Sequence, residues 1–129
     1  MECACDIDAA EDGSLPAVFN RHDRTARCAH KCYECGRTIN PGERYTVESG
    51  LWDGEWRTFK TCADCISVRE SMFSSYSFGM LWEEIGVYID YCDGRVPEKC
   101  LYPMTRPARI KIAGMMDDWF RGCDDFCDG

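Results

Sequence analysis

No apolar run in this 129-residue chain approaches the roughly 20 residues that a membrane-spanning helix needs. The opening Met1-Glu2-Cys3-Ala4-Cys5-Asp6 lacks the positive start and apolar stretch of a secretory leader, so a cytoplasmic location is expected. Basic residues are in deficit. There are 15 Lys and Arg against 23 Asp and Glu, a net charge of −8, which works against general adhesion to nucleic acid. There is no Gly-rich phosphate loop, no Ser-His-Asp set and no pair of carboxylates in an apolar context, so no catalytic group is recognisable. No internal repeat and no long linker divide the chain, and its length suits one domain or a small domain with an appended subdomain.

What the chain has in excess is cysteine, with eleven residues. An odd count without a leader argues against a disulfide scaffold, and in a reducing compartment clustered cysteines more often hold zinc. Cys32-x-x-Cys35 is followed, after 26 residues, by Cys62-x-x-Cys65. Two cysteines separated by two residues can direct both sulfurs at one ion, and two such pairs complete a tetrahedron. A redox reading of Cys-x-x-Cys wants one pair near a βαβ pattern, which is missing here. A role as buried packing thiols does not account for the paired spacing. The expected ligands are therefore Cys32, Cys35, Cys62 and Cys65.

The intervening sequence reads as one hairpin. Gly36 can take positive φ where the knuckle reverses, and Pro41-Gly42 marks a turn. Residues 44–48 alternate as a half-buried strand, Asp53-Gly54 is a hairpin turn, and 56–60 returns. Thr61 is the expected N-cap of a helix that opens at Cys62 and runs to Phe73, its first-turn amides favouring thiolates. A second helix is expected over 81–91 on the stripe Leu81, Trp82, Ile85, Tyr88 and Ile89, weakened by Gly86. A third begins near Pro107 and carries Ala108, Ile112, Met115, Met116, Trp119 and Phe120. The predicted fold class is thus α+β, a zinc knuckle, β-hairpin and helix with additional C-terminal helices. Three segments are expected: an irregular 1–27 carrying Cys-x-Cys, a zinc module over 28–78, and a helical extension over 79–129 packed on it.

The order of knuckle, hairpin and helix resembles the treble-clef zinc fingers. More narrowly, Ala29-His30-Lys31-Cys32-Tyr33-Glu34-Cys35-Gly36-Arg37 through Tyr45, with Gly50-Leu51-Trp52-Asp53-Gly54 and Phe59-Lys60-Thr61-Cys62-Ala63-Asp64-Cys65, is similar to a group of small phage and prophage proteins. Some of these carry an N-terminal Cys-x-Cys like Cys3 and Cys5. The resemblance covers roughly residues 1–90 and implies a zinc-binding accessory protein in a bacterial cytoplasm, with no stated activity. Treble clefs also include nucleases, but these need a general-base histidine, and residues 43–73 contain none.

Seven cysteines lie outside that set: 3, 5, 28, 92, 100, 123 and 127. Cys3 and Cys5 could join Cys92 and Cys100, or Cys123 and Cys127, at a second zinc; otherwise all are unliganded thiols. His30 is expected at the surface or beside the ligands. Trp52, Trp56, Trp82 and Trp119 are expected to pack, with Trp52 the most exposed at the hairpin tip. The first functional expectation is a non-enzymatic, zinc-stabilised protein-interaction module that binds and modulates a host protein, with Trp52, Trp56, Arg37 and Arg44 as partner-binding candidates. That host protein could be a nucleic-acid-handling enzyme, since acidic faces can imitate nucleic acid. The second is nucleic-acid binding through residues 21–44, where six basic residues stand against three acids. The third is hydrolysis at an incomplete metal site.

Overall fold

The computed structural model describes residues 7–8, 18–52, 54–76 and 78–127. The alternation over 44–48 and the Asp-Gly turn do produce a hairpin: β5 (Arg44–Trp52) pairs antiparallel with β6 (Glu55–Cys62), from Tyr45↔Cys62 to Trp52↔Glu55. Gly54 in the turn has φ +79°, a conformation that a side chain would strain. Ahead of the hairpin, β3 (His30–Lys31) and β4 (Thr38–Ile39) pair across the knuckle, which closes through Cys32 N–H to the Arg37 carbonyl at 2.9 Å. Gly36 there has φ +77°, as its place in the reversal requires.

The sheet has a third strand that the sequence pattern does not announce. β2 (Val18–Thr25) pairs antiparallel with β5 along its whole length, giving the order β2-β5-β6. The expectation of an irregular 1–27 therefore fails over this strand. Residues 19–25 are all exposed and show no apolar alternation. The strand is held by its backbone ladder and by polar links: Arg21 to Glu70 at 2.8 Å, and the Thr46 hydroxyl donating to Asp23 at 2.8 Å. A short β1 (Ile7–Asp8) pairs parallel with β7 (Phe73–Ser75).

Helix α1 (Ala63–Met72) starts one residue later than a Thr61 cap would allow, because Cys62 is its N-cap and accepts from the Cys65 amide through sulfur. Helix α2 (Leu81–Tyr91) buries Leu81, Ile85 and Ile89, the i, i+4, i+8 stripe that its sequence carries. Gly86 is the point where Met115 of the last helix approaches. A one-turn α3 (Glu98–Leu101) follows Pro97, and the long α4 (Arg106–Cys127) runs back over the domain. Its start is pinned to α1: the Thr105 hydroxyl donates to Asp64 at 2.6 Å and accepts from the Ala108 amide at 3.4 Å. Farther along, the Trp119 ring lies over Gly94 and its indole N–H donates to Asp90 at 3.1 Å.

One buried cluster joins these layers. It takes Cys32 and Ile39 from the knuckle region, Tyr45 and Val47 from β5, and Val68 and Met72 from α1. Leu81, Ile85 and Ile89 of α2 and Ala108 and Ile112 of α4 complete it. Among the described residues no helix is long and apolar enough to cross a membrane.

Candidate metal centre

The four cysteines of the two Cys-x-x-Cys pairs meet at one point. The knuckle delivers Cys32 and Cys35, the end of β6 delivers Cys62, and the first turn of α1 delivers Cys65. Their sulfurs all lie within 4.8 Å of one another, with Cys32 and Cys65 at 3.8 Å and Cys35 and Cys62 at 3.9 Å. Metal–sulfur bonds of about 2.3 Å in a regular tetrahedron put the sulfurs ~3.8 Å apart, so the cluster is already the size of a zinc-type site. A disulfide would hold two of them at about 2.0 Å, and all four are free thiols. The residues present fit one metal ion, and an all-cysteine tetrahedral donor set is consistent with zinc.

Electrostatics point the same way. Among themselves the buried thiols compete for one negative charge. Hydrogen bonds from the Cys62 and Cys65 side chains draw the Cys32 thiol far below its ordinary value. The same contact with Cys32 pushes Cys62 up to about 11, and contacts with Cys32 and Cys62 push Cys65 up as well. A dication at the centre removes that competition by stabilising all four thiolates. N–H groups already face the sulfurs, among them the Cys62 amide to Cys32 at 3.3 Å, the Cys65 amide to Cys62 at 3.5 Å, and the Trp82 indole to Cys65 at 3.3 Å.

Arg37, a candidate for partner binding, sits beside this centre. Its guanidinium bonds Glu43 at 3.1 Å and lies 3.3 Å from Asp64. Its pKa is raised chiefly by the Glu43 hydrogen bond, with a further contribution from its contact with Cys62. Arg44 donates to the Thr25 hydroxyl at 3.2 Å and braces β2. The tryptophans exchange the roles expected of them. Trp52 is half-buried and meets Phe19, Phe59 and Phe78 edge-on, whereas Trp56 is 57% exposed. Side chains alternate across the two-residue turn, so Trp52 shares the Phe59 face and Trp56 takes the opposite one.

Of the second-site candidates, Cys92 and Cys100 are the two whose side chains are described. Cys92 and Cys100 are disulfide-bonded, and a disulfide sulfur is not the thiolate that a metal needs. Cys3 and Cys5 lie outside the described residues. Cys123 and Cys127 fall on the last turns of α4. Among the described residues His30 joins no metal group: its ring packs on Tyr45, with Nδ1 3.2 Å from the Lys60 ammonium and Nε2 3.7 Å from the exposed Cys28 sulfur.

Sequence reasoning missed the polar network that ties this centre to the rest of the core. Arg69 of α1, 3% exposed, bonds Glu48 of β5 at 2.6 Å and Glu34 at 3.1 Å. Glu34, the residue between the knuckle cysteines, also accepts from the amides of Gly79 at 3.0 Å and Leu81 at 3.1 Å. The Tyr76 hydroxyl donates to Glu48 at 2.7 Å, and the Arg69 guanidinium stacks 3.9 Å from the Tyr76 ring centroid. Two carboxylates thus share one guanidinium, and the excess negative charge meets helix-start amides and a phenol. Glu34 carried no local signal, since its neighbour between the same two cysteines, Tyr33, is exposed. Arg69 carried none either, because α1 has no clean apolar face to set it against.

Comparison with protein-family models, with curated proteins and with solved structures finds no match for this chain.

Proposed function

We propose that the chain is a zinc-stabilised module of the treble-clef type whose task is to bind another protein, without catalysis of its own. The supporting observation is that the sulfurs of Cys32, Cys35, Cys62 and Cys65 all lie within 4.8 Å of one another. Four protein ligands leave no coordination position for water or substrate, so the ion would hold the knuckle against α1 rather than react. On the resemblance of residues 28–70 to phage and prophage proteins, the partner would be a bacterial host protein. The exposed Trp56 on β6 is the best aromatic anchor for it.

The alternative, nucleic-acid binding through 21–44, is weakened by what those side chains do. Arg21 is paired with Glu70, Arg37 with Glu43 and Asp64, and Arg44 with Thr25. Those contacts compete with phosphates for three of the six basic groups. Native mass spectrometry should show one zinc per chain, and X-ray absorption should show sulfur scatterers at about 2.3 Å. Oxygen or water in the first shell would overturn the non-catalytic reading. Oligonucleotide binding that falls steeply with rising salt would favour the alternative.

A further inference from the structure

The metal centre does not end with the knuckle, the hairpin and α1. Trp82, in the first turn of α2, points its indole N–H at the Cys65 sulfur from 3.3 Å. The Lys111 ammonium of α4 stands over the same indole, 4.4 Å from its centroid. These residues come from two helices beyond the four-cysteine segment, yet they form one chain of contacts: cation, aromatic ring, N–H, sulfur.

We infer that Trp82 is a positioning residue of the metal centre, an outer hydrogen-bond donor to the Cys65 thiolate that Lys111 strengthens, so that metal affinity depends on the docking of α2 and α4. The inference rests on the zinc reading of the four cysteines and extends it. A dication with four thiolates carries a net charge of −2, and that charge falls on the sulfurs. Donors that face those sulfurs lower its energy and restrain the ligand's orientation. The Cys62 and Cys65 amides are backbone donors within the local turn geometry, where any residue would supply them, and Arg37 reaches Cys62 from the knuckle itself. The Trp82 indole differs, since it reaches its sulfur only when α2 is packed. A cation over the ring face withdraws electron density from the indole and makes its N–H the better donor. Because Lys111 belongs to α4, both helices are linked to metal occupancy, and by reciprocity the ion favours their docking.

The test uses the full chain and compares Trp82→Phe with the wild type. Phenylalanine keeps an aromatic ring beneath Lys111 and removes the donor. Zinc affinity, read by competition with a chromogenic chelator, should fall about 10- to 100-fold, the range found for outer-shell partners. The sulfur-to-metal charge-transfer band of the cobalt(II) form should shift, which a purely packing role would not cause. Lys111→Met should lower the affinity by about two- to fivefold. A Trp82→Phe affinity within about twofold of wild type and an unmoved cobalt band would overturn the inference. Should that variant fail to fold, the wild-type cadmium-113 form decides. Coupling between the cadmium nucleus and the Trp82 indole proton supports the inference, and exchange of that proton at the rate of free tryptophan overturns it. A wild type that binds no metal overturns the zinc reading itself, and is recognised before any variant is made.

Discussion

Glu34 Oε1 accepts a hydrogen bond from the Leu81 amide at 3.1 Å, across 47 residues of sequence. The residue between two candidate metal ligands is therefore also the cap of α2, whose own preceding residue, Met80, provides no side-chain cap. Its other oxygen holds Arg69 and the Gly79 amide. A single carboxylate thus joins the knuckle, α1 and α2, and the consequences of that arrangement can be measured.

Arg69→Leu should be among the most damaging substitutions outside the cysteines. It strands Glu34 and Glu48, 1% and 0% exposed at their side chains, without their shared cation. Removing one partner of a buried pair costs about 3–5 kcal/mol, read as a lower urea midpoint at unchanged slope. A loss under ~1 kcal/mol would mean that the carboxylates do not depend on the guanidinium.

Cys35→Ser and Cys62→Ser should each abolish stoichiometric metal and the cooperative unfolding of the hairpin and α1. Apparent binding energies of about 10–16 kcal/mol for structural zinc match or exceed a domain's typical 5–15 kcal/mol stability. Chelator treatment of the wild type should have the same effect, followed by circular dichroism. Wild-type metal content in either variant would remove that residue from the ligand set.

The phenol of Tyr76 is pushed up to about 12, mainly by burial and then by its bond to Glu48. Below about pH 10 it is neutral in both folded and unfolded chains, and its contribution is fully present. Between about pH 10 and 12 the unfolded chain ionises while the folded one keeps its proton, so stability falls as pH rises. Tyr76→Phe should flatten that part of the stability–pH curve. A curve of the same slope in the variant would assign the loss to other groups.

Cys92→Ser and Cys100→Ser should leave metal stoichiometry unchanged, since both residues are disulfide-bonded rather than thiolate donors. Their cost should appear in the melting temperature, because a lost disulfide typically costs a domain about 2–5 kcal/mol. The Ser71 hydroxyl also donates to the Cys100 carbonyl, so the effect should reach α1. Metal loss in either variant would restore these residues to a metal site.

Much of this molecule could be read from local pattern. The two Cys-x-x-Cys pairs, Gly36, the Asp-Gly turn, and the stripe of Leu81, Ile85 and Ile89 each act over a few residues, through ligand geometry, permitted φ or helical period. Those short-range rules place the knuckle, the hairpin, α1 and α2 with little error. The strand β2 escaped because it buries neither face, so its residues carry no alternation. The disulfide bonding of Cys92 and Cys100 was not legible, because the sequence presents a thiol and a half-disulfide identically.

Chain chemistry alone dictated which four sulfurs could share an ion, since their spacing within each pair and the hairpin between the pairs are local properties. Packing over long separations settled the rest: that Glu34 turns inward to cap α2, that Arg69 is buried between two acids, and that Trp82 reaches Cys65. Such contacts are chosen by which buried polar groups must find partners once the helices close on the sheet, and that requirement arises only in three dimensions.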